Sequence, residues 1–149
     1  VDVLKIVKQI EDADIQVLAN YIYGLPGDTE ETINETFNLS LKLNTLGWNT
    51  YAAMALPGSQ LYKDGIDKKI DLPSKYSEFS FHSYDTKPLS TETLKAARVL
   101  QLRDEKFEKY FSNDNFLNKI NSKFGYDAVK NIKDMLKVKL KRKIIEENL

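Results

Sequence analysis

Two five-residue segments hold the residue types from which a ligand site could be made. They are GLPGD at 24–28 and ALPGS at 55–59. Glycine leaves backbone N–H and C=O groups uncovered by a side chain, and proline fixes its own backbone angle. Loops built this way can read the edge of a flat base through main-chain hydrogen bonds. The same residues also make ordinary turns. The first segment is not a phosphate loop: it lacks the Lys-Ser/Thr pair of a Walker motif and the GxGxxG spacing. Asp28, Glu30 and Glu31 stand where the following helix would present its N-terminal amides, and three carboxylates there repel an anion. A neutral base or a cationic group is compatible with that rim.

Both loops follow short apolar runs. Residues 15–23, IQVLANYIY, and 48–56, WNTYAAMAL, are rich in aromatic and aliphatic residues and read as buried strands. Between them, Ile33, Phe37 and Leu41, with Leu39 and Leu43 on the flank, predict a helix. Asp28 is its expected N-cap, with Glu31 three residues on, and Gly47 its expected stop. Strand, helix and strand of this length make a βαβ unit with parallel pairing. In parallel sheets ligands bind beyond the carboxyl ends of strands, where both loops fall.

Elsewhere, Val3, Leu4, Ile6, Val7 and Ile10 predict an amphipathic helix that begins at the first residue, the pattern of an excised fragment or of a trimmed terminus. A short helix is expected from Ser59 to about Lys69. Residues 71–89 read as irregular, with Phe79 and Phe81 alternating as in a short strand. Three C-terminal helices are expected: one capped by Ser90 and reaching Phe111, one at 113–124 closed by Gly125, and one at about 126–147. The basic run LKVKLKRK at 136–143 reads as a solvated helix face, with contact to RNA or an acidic partner as the alternative. Tyr51 is either core or a substrate contact. His82 and Tyr84 are either loop hydrogen-bonding residues or acid–base groups.

The chain has 149 residues, 22 Lys+Arg, 22 Asp+Glu, one His and no Cys. Neutral total charge argues against nucleic acid as a bulk electrostatic partner. The absence of Cys excludes disulfides, thiol catalysis and thiolate-held zinc or iron–sulfur sites within these residues. No apolar run approaches the roughly 18 residues a membrane span needs. A cytoplasmic α/β protein is expected.

NYIYGLPGDT at 20–29 resembles the GxIxGxPGE segment of the radical S-adenosylmethionine (SAM) enzymes, and AMALPGSQLY at 53–62 resembles their PGT-type loop one strand later. SFHSYDTKPLSTE, RDEKFEKYF and the Phe124–Gly125 pair continue the likeness over nearly the whole chain, toward a subgroup whose members carry a cobalamin-binding domain. The resemblance implies a partial TIM-type barrel fragment of two to three parallel strands over residues 1–89, followed by a helical C-terminal extension over 90–149. In that family a CxxxCxxC motif holds a [4Fe–4S] cluster, and reductive cleavage of SAM gives a 5′-deoxyadenosyl radical. With no Cys, this chain would supply only the SAM side of such an oxidoreductase and be inactive alone, the cluster and cobalamin being held elsewhere in the full protein. By position, Ile22 would pack on adenine, while Ala55 and Leu56 would meet the base edge through backbone atoms. Gly24, Pro26, Pro57 and Gly58 would shape the two loops. Asn20, where the family has Gly, would point at ribose or substrate, or bond a neighbouring strand. Asp28 stands for the family Glu, and Ser59 for Thr. Expected partners are SAM, a small-molecule substrate, the missing N-terminal half and, because too few strands remain to close a barrel, a second copy of the chain. A non-catalytic α/β interaction module is the alternative.

Overall fold

The computed structural model describes residues 1–148. Helix α1 (Val3–Asp12) opens with Asp2 as N-cap, its carboxylate accepting from Lys5 N–H at 3.1 Å. The helix closes in a Schellman turn. Asp14 takes a left-handed φ of 58°, its N–H donates to Glu11 C=O, and Ile15 N–H donates to Ile10 C=O. Ile15 is thereby spent on ending a helix, so strand β1 (Leu18–Tyr23) starts three residues later than the apolar run suggests, and it is not buried as expected: Leu18, Asn20 and Ile22 alternate outward and are exposed.

Helix α2 (Glu30–Leu43) corrects the expected cap. Thr29 Oγ1 accepts from Thr32 N–H and Thr32 Oγ1 accepts from Thr29 N–H, so a reciprocal Thr–Thr box replaces the Asp28–Glu31 pair. The helix stops at Leu43, where Asn44 adopts φ 45°, rather than at Gly47. Gly47 instead begins strand β2 (Gly47–Ala52) against β1: a Cβ on it would lie 2.1 Å from Leu18 Cδ1.

The sheet has the two strands in order β1-β2. Gly47 N–H donates to Val17 C=O, and Ala53 N–H to Tyr23 C=O. The offset between partners is the same at both ends, which is the register of a parallel pair. The expected βαβ unit is therefore present, and the protein is mixed α/β.

Helix α3 (Gln60–Asp67) begins at the expected cap, Ser59, whose Oγ accepts from Tyr62 N–H at 3.1 Å. It ends in a second Schellman turn at Lys69, φ 55°. No strand forms at 79–81. A short helix α4 (Tyr76–Phe79) lies there, and Phe81 is instead held under two guanidinium groups, Arg103 at 4.4 Å and Arg142 at 5.2 Å from its ring centroid. Helix α5 (Ala96–Phe111) starts six residues after Ser90. Ser90 still caps it, its Oγ accepting from Ala96 N–H across an intervening Thr91 turn. Helix α6 (Asp114–Phe124) has Asn113 as N-cap and Gly125, φ 80°, at its end, as expected.

The last predicted helix is broken. Helix α7 (Tyr126–Met135) is followed by non-helical residues and a single turn, α8 (Lys143–Glu146). From Val138 to Arg142 the run is thus not a helix face. Its alternation of Lys with Val138, Leu140 and Arg142 has a period of two, which suits extended chain. Arg142 points inward with 2% of its side chain exposed.

The chain divides into two units. One comprises Val1–Tyr21, Asn34–Thr50 and Glu105–Lys139. Its core is aromatic: Trp48 stacks on Tyr110 at 4.9 Å and meets Phe111 edge-on at 5.9 Å, and Tyr110 packs on Phe116 at 5.0 Å. Each such contact adds about 0.5–1.5 kcal/mol beyond the area it buries. Tyr110 also donates to Thr45 C=O at 2.9 Å. The other unit comprises Ile22–Ile33, Tyr51–Asp104 and Leu140–Leu149, with Tyr23, Ile33, Ala55, Val99, Leu100 and Leu102 buried. Among the described residues no helix is long and apolar enough to cross a membrane.

Candidate functional site

The second unit contains both glycine–proline loops. They follow the carboxyl ends of adjacent parallel strands, β2 ending at Ala52 rather than running on to Leu56, so the corners fall at one end of the sheet, as the βαβ reading requires. Gly24 is buried with φ +83°, and a Cβ there would lie 2.6 Å from Val99 Cγ1, so glycine is demanded by both backbone and neighbour.

The GLPGD loop satisfies its own amides with carboxylates. Asp28 Oδ2 accepts from Gly24 N–H at 2.9 Å and Leu25 N–H at 3.1 Å, while its Oδ1 accepts from Thr32 Oγ1 at 2.8 Å. Gly27 N–H donates to Glu92 Oε2 at 2.8 Å, and Thr93 Oγ1 donates to Asp28 C=O at 3.1 Å. Glu30 is clamped by Arg98, Nη2 to Oε1 at 2.6 Å and Nε to Oε2 at 3.1 Å. The bond from Gly27 holds the Glu92 carboxyl below its usual range. With these amides already holding carboxylates, the loop is closed to an external phosphate, for a more specific reason than the charge count.

The ALPGS loop is built differently. Leu56 C=O accepts from Ser59 N–H at 3.0 Å and Ser59 Oγ at 2.7 Å, closing its own turn. Among the described residues the N–H groups of Ala55 and Leu56 have no hydrogen-bond partner. Ala55 is buried, whereas the Leu56 side chain is 52% exposed. Ile22, the last outward-facing position of β1, is 50% exposed. Pro26, Pro57 and Gly58 are exposed.

Of the remaining candidates, Tyr51 is also exposed and packs edge-on against Phe81 at 5.8 Å. His82 is exposed beside the same ring, and Tyr84 donates to Glu146 Oε2 at 2.8 Å. Asn20 lies in the first unit. Its Oδ1 accepts from Asn49 Nδ2 at 3.1 Å, the strand-bridging alternative.

A cavity of about 350 Å³ opens in the second unit beside the first loop, between Pro26, Leu61, Lys68, Leu89 and Glu92. The ALPGS loop does not line it. Among the described residues no group of three or more His, Cys, Asp or Glu is arranged to hold a metal ion.

The sequence pattern did not mark Glu92, Arg98 or the Arg103–Asp104–Arg142 cluster. Glu92 and Arg98 act on residues 65 and 68 positions away, beyond any local signal. In the cluster, Arg142 straddles Asp104, Nε to Oδ2 at 3.1 Å, and donates through Nη1 to Phe81 C=O at 2.6 Å, while Arg103 Nη1 reaches Asp104 Oδ1 at 2.9 Å. Only the two-residue period around Arg142 hinted at it.

No protein-family model matches this chain, and no curated protein does.

Proposed function

We propose that the chain is the C-terminal, SAM-side portion of a radical SAM iron–sulfur oxidoreductase, with residues 1–89 the end of a partial barrel and 90–149 a helical extension. The observation that carries the reading is the pair of glycine–proline corners at one end of two adjacent parallel strands, each in the sequence context that resembles the family. The exposed residues suit a flat, uncharged heterocycle. Ile22 offers an apolar surface and the Leu56 N–H offers a donor to a base edge, whereas Ala55, expected beside it, is fully buried. When bound, SAM supplies the adenosyl group. The residues of this chain do not fit a [4Fe–4S] cluster, because there is no thiolate to hold one. Cluster and cobalamin would belong to parts of the full protein outside these residues, and the chain by itself would be inactive.

Isothermal titration of SAM, and separately S-adenosylhomocysteine, into the chain tests this. Saturable binding that Ile22→Asp abolishes is the expected result. Ile22 is half-exposed, and circular dichroism of the variant checks that its fold is kept. Absence of heat up to about 1 mM ligand, an affinity weaker than about −4 kcal/mol, refutes it.

A second reading, a non-catalytic interaction module, is favoured by α1, whose Val3, Leu4 and Ile6 are all exposed and which contains no buried residue. Under that reading SAM does not bind and Ile22→Asp changes nothing.

A further inference from the structure

The neutral total charge conceals a local excess. Between residues 119 and 139 there are six Lys residues against Asp127 and Asp134, with Lys119, Lys123 and Lys139 paired to Glu11, Asp14 and Glu108 of the same unit. In the first unit α7 organises this excess. Tyr126, Lys130, Lys133 and Lys137 recur at intervals of four, three and four, which is one helical face, continued past Met135 by the right-handed turn at Leu136. The same helix turns Val129 into the unit. Tyr126 is 72% exposed, and the side chains of Lys130 and Lys137 are 61% and 74% exposed. Asp134 accepts from both of these ammonium groups, at 3.3 and 2.6 Å, and so fixes them on the stripe. Among the described residues Lys133 has no carboxylate partner. Phe124, also largely exposed, precedes the helix across Gly125 and stands next to Lys123.

We propose that this face binds single-stranded nucleic acid, with the lysines on phosphates and the rings of Tyr126 and Phe124 as platforms for bases. At a rise of about 1.5 Å per residue, neighbouring lysines of the stripe are roughly 4.5–6 Å apart along the helix, a spacing an extended phosphate backbone can follow. Two exposed rings among lysines distinguish the surface from a merely solvated basic face. A lipid surface is disfavoured because the apolar side of α7, at Val129, is turned inward and unavailable for insertion.

The test is fluorescence anisotropy of the whole chain with fluorescein-labelled 20-mers of oligouridylate and of oligothymidylate, over a salt series. Binding to either supports the proposal, and the comparison of the two separates RNA from DNA as the source. Three lysines less the Asp134 carboxylate neutralise about two phosphates, which predicts a log–log salt slope of about −1.4. The Lys130→Gln, Lys133→Gln, Lys137→Gln triple variant flattens that slope and weakens binding at least tenfold. Tyr126→Ala weakens binding about tenfold through lost stacking and leaves the slope unchanged. The control Lys5→Gln, Lys8→Gln on α1 alters neither. The proposal is overturned by no anisotropy change at about 50 mM salt, by Tyr126→Ala binding as well as the parent, or by tighter binding to phosphatidylserine-containing vesicles or polyglutamate than to either oligonucleotide. Circular dichroism of each variant separates lost binding from lost fold.

Discussion

Gly24→Ala isolates what the first glycine–proline corner demands. The native φ of +83° lies in the left-handed region, which costs an L-residue about 1–2 kcal/mol. The added Cβ meets Val99 Cγ1 at 2.6 Å and Cγ2 at 3.2 Å. Val99 is fully buried on α5, and a helical valine is confined to essentially one rotamer, so it cannot swing aside. Overpacking of that kind costs about 1–3 kcal/mol. Shifting the backbone instead would strain the 2.9 Å bond from Gly24 to Asp28. Reduced freedom of the unfolded chain returns about 0.4–1 kcal/mol, leaving a net destabilisation of about 1–4.5 kcal/mol. Urea unfolding followed by far-ultraviolet circular dichroism measures it, with Val99→Ala completing a double-mutant cycle. Removing the Val99 methyls relieves the overlap but not the φ term, so the cycle returns a coupling of about 1–3 kcal/mol, with Gly24→Ala milder in the Val99→Ala background. A Gly24→Ala chain within about 0.5 kcal/mol of the parent, or additive single variants, refutes the reasoning.

Two further outcomes are expected. Burial pushes the Tyr110 hydroxyl up to about 12, so the folded state holds that proton more tightly than the unfolded chain. The stabilisation is complete below about pH 10 and is lost as pH rises through about 12, and alkaline titration of unfolding free energy should show a slope there that Tyr110→Phe reduces. Arg142→Ala removes the guanidinium that straddles Asp104 and bonds Phe81 C=O, at a cost of about 3 kcal/mol for breaking a buried pair. Arg142→Lys should not restore it, because an ammonium cannot span both partners. Hydrogen exchange at residues 81–84 reports the loss, and unchanged protection would refute it.

The candidate site was partly legible. Both loops, their position after two strands and the Ser59 cap could be read because each depends on contacts within a few residues. The cap of α2 was misread because Asp28 and Thr29 both suit an N-cap. Asp28 was drawn instead to the amides of Gly24 and Leu25, which only the turned loop brings within reach. The carboxylate that completes the loop, Glu92, comes from far along the chain and left no periodic trace.

By itself the sequence determined the βαβ order, the glycine–proline corners that follow the two strands, and the exclusion of thiolate chemistry, since hydrophobic period, turn residues and composition are local properties. Tertiary structure decided which polar groups those local choices would meet. The last long helix closes at Met135, and Arg142 lies in extended chain with its guanidinium against Asp104 and the Phe81 carbonyl, partners that are distant in sequence. Tertiary structure likewise made Phe81 a platform for two arginines rather than a strand residue, because long-range charge and ring contacts outweigh a weak local preference.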